Sequence, residues 1–419
     1  MADVDDRWHS HRPCTDGQKP CRSHVETIGG QKVPLYPTAR HGIGNRWMAR
    51  WRDPGKVQRY KSFAKKDPAE KFLDTVRADL TRGVYVDPAA GQVTLRAYAA
   101  GWLASRACDP STHEAMELRF RLHIFPMLGD HPVGTLRPST IQAWVAGLKV
   151  APNYARTVFA NLSAVLSAAV DDGMLGRNPC KAKSVRPPAA VSSRVVPWPA
   201  ESIDGMRVAL AGRYSATVDA GAGCGLRQGE VFGLAVEDTD FLRGVVHVVR
   251  QVKVVSSKLV FGPPKRGKTR DVPLPESVKV ALAEHLRQHP ARDVTLPWLP
   301  TGKPVTVPLV FTSRESNAVN RNYFNAHVWK KALRAAGVPD TRVNGFHALR
   351  HYYASVLLAG GVDIRTLAEF LGHSDPGFTL RVYTHLMPQA EDRARRAIDG
   401  VFGASRPAPC VPDVCQEGR

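Results

Sequence analysis

The chain has 419 residues, 43% of them hydrophobic and 23% charged, ordinary values for a protein that buries its own cores without a disulfide framework. Fifty-eight Lys and Arg against 38 Asp and Glu leave a formal charge of +20, which points to a polyanionic partner, nucleic acid first. No apolar run approaches the ~20 residues of a bilayer span, the acidic start Asp3-Val-Asp-Asp6 lacks the apolar stretch of a secretory signal, and the odd count of seven scattered cysteines suits a reducing compartment, so a cytoplasmic protein without membrane attachment is expected.

Residues 1–31 are polar and irregular and read as a flexible N-terminal arm. His9, His11, Cys14, Cys21 and His24 are of zinc-binding types, but their spacing matches no standard finger, and no metal is assigned. Residues 32–90 read as a small sheet plus a helix. Between Lys32 and Lys66 ten basic residues face one acid, Asp53. Arg46-Trp-Met-Ala-Arg-Trp-Arg52 alternates large apolar and basic side chains, a strand with one packed and one cationic face. Asp53-Pro-Gly55 turns the chain, Gln58-Arg-Tyr-Lys-Ser-Phe63 returns, and 69–82 has helical spacing through Phe72, Leu73, Val76 and Leu80. The interleaving of aromatic and basic residues nominates Arg46, Arg50, Arg52, Lys56, Arg59 and Lys61 as DNA contacts, although a merely solvated charged face has the same composition.

Residues 91–185 are helix-rich and read as a small bundle. Amphipathic stretches run over 94–104 and 111–125, Ser139 is placed as the cap of 141–148, and a long helix spans 154–170. The proline-rich 186–199 reads as a linker. Residues 200–402 form a further domain, helix, sheet, helix in order, and 403–419 a disordered tail. The predicted fold is thus multidomain, mainly α with small β-sheets.

Four clusters in 200–402 carry chemistry. In Gly223-Cys-Gly-Leu-Arg-Gln-Gly-Glu230, Arg227 follows a glycine-rich turn at a helix start, where a guanidinium grips a phosphate bidentately. Glu230, three residues on, lies on the same helix face and orients it; a surface Arg–Glu pair would look alike. Lys265 stands at the tip of a basic turn between strands at 260–261 and 271–274, exposed and able to give a proton or touch a phosphate, as in any basic hairpin. His347 and Arg350 project together from one helix face. Asp363 caps a helix that Gly372 ends in the left-handed region; His373 follows, and Pro376 opens the helix that carries Tyr383. A tyrosine oxygen can attack phosphorus, but a lone tyrosine here is equally an ordinary half-buried helix residue.

Taken in order, Arg227, Lys265, His347-Ala-Leu-Arg350, Leu371-Gly-His373 and Tyr383 resemble the tyrosine recombinase (phage integrase) family, with the match covering the catalytic domain at 200–402. The bundle at 91–185 resembles that family's core-binding domain, and 32–90 resembles the arm-type DNA-binding domain of the larger phage integrases. The resemblance implies an α+β catalytic domain in which Tyr383 attacks a DNA phosphate and leaves a 3′-phosphotyrosyl link and a 5′-hydroxyl. It implies that Arg227 and Arg350 clamp the non-bridging oxygens and that Lys265 protonates the leaving 5′-oxygen. His347 and His373 then bond the phosphate, with His347 helping to take the tyrosine proton, and Glu230 supports Arg227. Side-chain cations neutralise the charge, so no cofactor is expected. The implied partners are duplex DNA at attachment sites, three further copies of the chain in a tetramer, and, for an element-encoded integrase, an excisionase and a host DNA-bending factor.

Three rivals remain open: a type IB topoisomerase, a chromosome-dimer resolvase, and a DNA-binding protein without catalysis. The extra N-terminal module speaks against the first two and the six filled pocket positions against the third. A helix over 389–402, with Ala394, Ile398 and Phe402 along one side, would dock on a neighbouring protomer or on its own domain.

Overall fold

The computed structural model describes residues 3–383, 395 and 398–402, apart from 17, 29, 54, 83–84, 86–89, 191–194, 300 and 374. It divides into two compact units, Met1–Val191 and Ser192–Arg419.

The first unit opens with β1 (Asp3–Asp6), β2 (His9–Ser10), β3 (Val25–Ile28), β4 (Gln31–Pro34), β5 (Tyr36–Pro37), β6 (Trp47–Arg52) and β7 (Gln58–Phe63), then α1 (Lys66–Arg82). The alternating segment forms β6 as expected, antiparallel to β7 with Trp47 opposite Phe63. Ala49, at 0% exposure, and Trp51 pack on Ala69, Leu73 and Val76 of α1. The stretch expected as a flexible arm is instead paired. β1 adds to the free edge of β6 with Asp3 opposite Arg50 and Asp6 opposite Trp47, β2 pairs with β5, and β3 with β4. The boundary expected at 31/32 therefore cuts through paired strands, because the acidic β1 finds its partner in the basic β6.

The bundle follows as α2 (Leu95–Ala104), α3 (Pro110–Arg119), α4 (Phe125–Leu128), α5 (Pro138–Ala146) and α6 (Pro152–Asp171). Between α3 and α4 the chain widens into a π turn over Phe120–Ile124, next to Pro126, which has no N–H to give the helix ladder. Pro138, rather than Ser139, opens α5: at the first helical position proline loses nothing by lacking an N–H, and Ser139 lies inside the helix. Phe120, Ile124, Trp144 and Leu162, all at 0% exposure, make its core, and the indole of Trp144 donates to the His123 carbonyl at 2.8 Å.

The second unit holds α7 (Ala200–Ala209), α8 (Gly212–Cys224), α9 (Gln228–Phe232), β8 (Thr239–Asp240), β9 (Val245–Val248), β10 (Gln251–Val255), β11 (Lys258–Gly262), β12 (Arg270–Pro273), α10 (Glu276–Gln288), β13 (Arg292–Pro297), β14 (Pro304–Leu309), α11 (Arg321–Tyr323), α12 (Lys330–Ala335), α13 (His347–Ala359), α14 (Ile364–Leu371) and α15 (Pro376–Tyr383). The strands form one three-stranded sheet, β12-β9-β8, and the hairpins β10-β11 and β13-β14. The expected basic hairpin does not form: β11 pairs with β10 and β12 with β9, so the turn Lys265–Gly267 crosses between sheets. The end of the expected linker also belongs to this unit. Trp198 is 8% exposed, stacks on Trp329 with centroids 6.2 Å apart, and donates to Asn344 Oδ1 at 2.9 Å. The expected helix over 389–402 lies largely, and the tail over 403–419 wholly, outside the described residues.

Candidate active site

Two left-handed helix ends shape the pocket. α8 ends at Gly225 (φ 63°), and a Cβ there would lie 2.4 Å from the Tyr353 ring, so position 225 demands glycine on both counts. α14, capped by Asp363 onto the Arg365 and Thr366 amides at 2.9 and 3.0 Å, ends at Gly372 (φ 59°). The carbonyls left over at these ends hold the arginines. Arg350, on α13 and 1% exposed, donates to Gly225 O at 2.7 Å and to Leu371 O. Arg227 donates to Leu371 O at 3.0 Å and Gly372 O at 3.3 Å.

Glu230 ties the group from beneath. Its carboxylate accepts from the Arg227 backbone at 2.8 Å and side chain at 2.8 Å, and from Arg270 Nη1 at 3.0 Å and Nη2 at 2.7 Å. Burial alone would raise its pKa; the hydrogen bonds and charge of Arg270, then the charges of Arg227 and Arg350, more than reverse this and hold it at about 2. Both carboxylate oxygens are thus taken by arginines.

On the open side stand three imidazoles and the phenol. His373 accepts from Arg350 Nη2 at Nε2 (3.3 Å), so its Nδ1 carries the proton and donates to Thr379 Oγ1 at 2.7 Å. The Tyr383 hydroxyl and His351 Nδ1 share a hydrogen bond at 2.7 Å, and the His351 ring lies 4.6 Å, centroid to centroid, from that of His347. Burial pushes the Tyr383 hydroxyl up to about 12, with Arg350 pulling it back. Burial, and then the Arg350 charge, push His351 down to about 4; burial and the three arginines push His373 to about 3. His347 is exposed at the mouth yet shifted in the same direction, by desolvation first and then by His351 and the arginines. His351 and His373 are therefore neutral at pH 7.

Of the expected residues, the fold gathers Arg227, Glu230, His347, Arg350, His373 and Tyr383. Lys265 sits exposed on the Lys265–Gly267 turn, and no bond joins it to the others among the described residues. Two pocket residues went unassigned in the sequence. Arg270 lies in the same basic run as Lys265, and only its strand position separates it from its neighbours. His351 directly follows Arg350, and its adjacency was the available signal. In the first unit, Arg46 is paired to Asp6 at 2.7 Å, Arg50 to Asp3 and Asp5, and Arg59 to Asp53 at 3.0 Å; Lys61 lies over the Phe72 ring at 4.6 Å, and Arg52 and Lys56 are exposed.

The arrangement of the second unit is that of DNA-rearranging recombinases. The chain superposes with a TM-score of 0.61 on the integrase of transposon Tn1549 in complex with transposon right end DNA (19% identity, covering 74% of this chain and 100% of that one). It superposes with a TM-score of 0.53 on a lambda integrase dimer bound to a core site (16% identity, 80% and 91% covered). Residues 206–390 match the phage integrase family and 94–149 the phage integrase N-terminal SAM-like domain. Among curated relatives, a XerC-like tyrosine recombinase of Caldanaerobacter subterraneus is 31% identical over 61% of this chain and 66% of its own length. The integrase of Mycobacterium phage FRAT1 is 27% identical over 74% and 89%. The chain belongs to the phage integrase family and is a tyrosine-type site-specific DNA recombinase. Among its described residues no helix is long and apolar enough to cross a membrane.

Proposed function

We propose that this chain integrates a phage or mobile element by cutting and rejoining duplex DNA at attachment sites through Tyr383. The Tyr383 oxygen forms a bond to the scissile phosphorus, the bond to the 5′-oxygen breaks, and a 3′-phosphotyrosyl link remains. Lys265 gives the leaving 5′-oxygen its proton. Arg227 and Arg350 hold the non-bridging oxygens, exchanging backbone carbonyls for phosphate, and Glu230 with Arg270 keeps Arg227 in place. His347 and His373 are further donors, His373 by turning from acceptor to donor at Nε2 once a phosphate displaces the arginine N–H. The phenol proton goes to His351, whose Nδ1 lies 2.7 Å from the Tyr383 oxygen. A 5′-hydroxyl from a partner duplex reverses the attack, so bond energy is stored in the ester and no metal or nucleotide enters.

The single observation that carries this reading is the 2.7 Å bond from Tyr383 to an imidazole whose chain neighbour is the buried Arg350. The electrostatics keep the step silent without DNA. Burial holds the phenol up near 12 and the imidazole down near 4, so passing the proton between them is unfavourable in the free protein. An incoming phosphate raises the histidine and satisfies the arginines, and Tyr383, 2% exposed, must leave its packing to reach it. Recombination joins two duplexes, so four protomers act together, in the cytoplasm where the DNA lies, with an excisionase and a host DNA-bending factor setting direction. Exposed cations of the first unit, Arg52 and Lys56 foremost, meet the arm-type DNA. The test is a nicked suicide substrate. Wild type should trap a covalent protein–DNA adduct and Tyr383→Phe should bind without one. An adduct surviving that substitution overturns the assignment, and tight binding by wild type with no adduct leaves a DNA-binding protein.

A further inference from the structure

We propose that His9, Cys21, His24 and His41 bind one zinc ion, and that this ion holds residues 7–45 folded against the basic sheet. The reasoning starts from what that stretch lacks. Its strands are two to four residues long, and Leu35 is its buried apolar side chain among the described residues. Hydrophobic burial of that size cannot order some forty residues, and chains in this position need a metal or a disulfide. Cys14 and Cys21 are free thiols.

The fold instead converges four metal-ligand side chains. His9 comes from β2, Cys21 and His24 from the loop before β3, and His41 from the turn after β5, and their ligand atoms all lie within 4.8 Å of one another. Cys21 Sγ is 3.4 Å from His24 Nδ1 and 3.5 Å from His41 Nε2. Zinc bonded to sulfur at about 2.3 Å and to nitrogen at about 2.05 Å with tetrahedral angles sets S···N edges of about 3.6 Å, so the two sulfur–nitrogen separations already match a shared ion and the remaining atoms need close in only slightly.

His9 supplies an independent sign. Its side chain is fully buried; Nδ1 bonds Asp6 Oδ2 at 2.9 Å, while Nε2 is buried and has no hydrogen-bond partner among the described residues. A buried, orphaned imidazole nitrogen is costly unless something fills it. A carboxylate on the far nitrogen is how proteins orient a zinc-bound histidine. Asp6 is itself held by Arg46 at 2.7 and 3.0 Å and by the Trp8 amide at 2.9 Å, so the bonds run from the proposed metal site to the residue that precedes β6. His11 and Cys14, the other two candidates in the sequence, stand outside: His11 faces Glu26 at 3.4 Å and Cys14 is exposed. His41, which completes the set, lies seventeen residues beyond His24 and enters only because the β2–β5 pairing folds it back.

The experiment is metal analysis of the full-length protein, purified and then dialysed against buffer without free zinc. Wild type should retain about one zinc per chain. Cys21→Ser and His24→Ala should lose it, and Cys14→Ser and His11→Ala should keep it. Should a ligand variant fail to fold, cobalt titrated into chelator-treated wild type answers the same question. Intense tetrahedral visible bands with one thiolate charge-transfer band, saturating at a single equivalent and displaced by zinc, support the site. Wild type that holds no zinc while its N-terminal strands stay protected from hydrogen exchange overturns the proposal. So does a Cys21→Ser protein that retains zinc, or a cobalt spectrum that is octahedral or does not saturate.

Discussion

Glu230 is where the structure makes its sharpest energetic statement. The carboxylate is 2% exposed and accepts four hydrogen bonds, three of them from guanidinium groups. Replacing it by Gln keeps the shape but removes the only negative charge among three arginines. Its pKa falls from 4.5 in the ordinary state to about 2 in the folded one. At about 1.4 kcal/mol per tenfold change, that difference is worth about 3 kcal/mol of stability, in line with the ~3–5 kcal/mol lost when one partner of a buried ion pair is removed. Because the folded value is depressed, the contribution is complete above the unfolded value of 4.5 and is lost as pH falls through that window toward 2. Glu230→Gln should therefore unfold in urea at pH 7 with about 3 kcal/mol less stability than wild type, and about 6–12 °C lower in Tm. The gap should narrow as both are titrated below pH 4.5. A variant within about 0.5 kcal/mol of wild type at pH 7, or a gap undiminished at the lowest pH where both fold, would refute the account.

His351→Gln should slow adduct formation on the suicide substrate by about 10²–10⁴-fold while DNA affinity measured by anisotropy stays unchanged; equal rates would remove His351 from the reaction. Gly225→Ala should destabilise the second unit and cut cleavage, since the new methyl meets the Tyr353 ring and the backbone sits at φ 63°; thermal melting and the adduct assay read both. Trp198→Ala should cost about 3 kcal/mol in chemical unfolding, because the ring is buried against Trp329; no loss would return 195–199 to the linker. Arg52→Ala should lower the slope of log affinity against log salt by about 1, and Arg50→Ala by less, since Asp3 and Asp5 already neutralise Arg50; the reverse order would mean that β1 detaches on DNA.

Local pattern carried much of this protein. The alternation of Arg46 to Arg52 required a strand with one packed face. Asp363 and Gly372 marked both ends of α14, because caps act within a few residues of themselves. The pocket was legible to the extent that its members resemble a known ordered set. What stayed hidden depends on partners far along the chain. β1 contains one apolar residue, Val4, and its reason to be a strand is the row of arginines some forty positions later. Arg270 looks like any cation in a basic turn until Glu230 is seen beneath it. Trp198, framed by prolines, reads as linker until Asn344 and Trp329 receive it.

The same logic explains why both chemical centres were only half visible. Each is assembled at places where backbone polar groups run out: the carbonyl ends of α8 and α14 in the second unit, and short strands with little core in the first. In the active site the unsatisfied carbonyls of Gly225, Leu371 and Gly372 are occupied by Arg227 and Arg350, the very groups that must later hold phosphate. The protein therefore stores its cations on weak neutral acceptors rather than on carboxylates, apart from the shared Glu230. A phosphate outcompetes a carbonyl for a guanidinium, because a charged acceptor makes the stronger hydrogen bond, whereas displacing a buried carboxylate would strand a charge. One acid among three arginines thus anchors the cluster while leaving two arginines exchangeable.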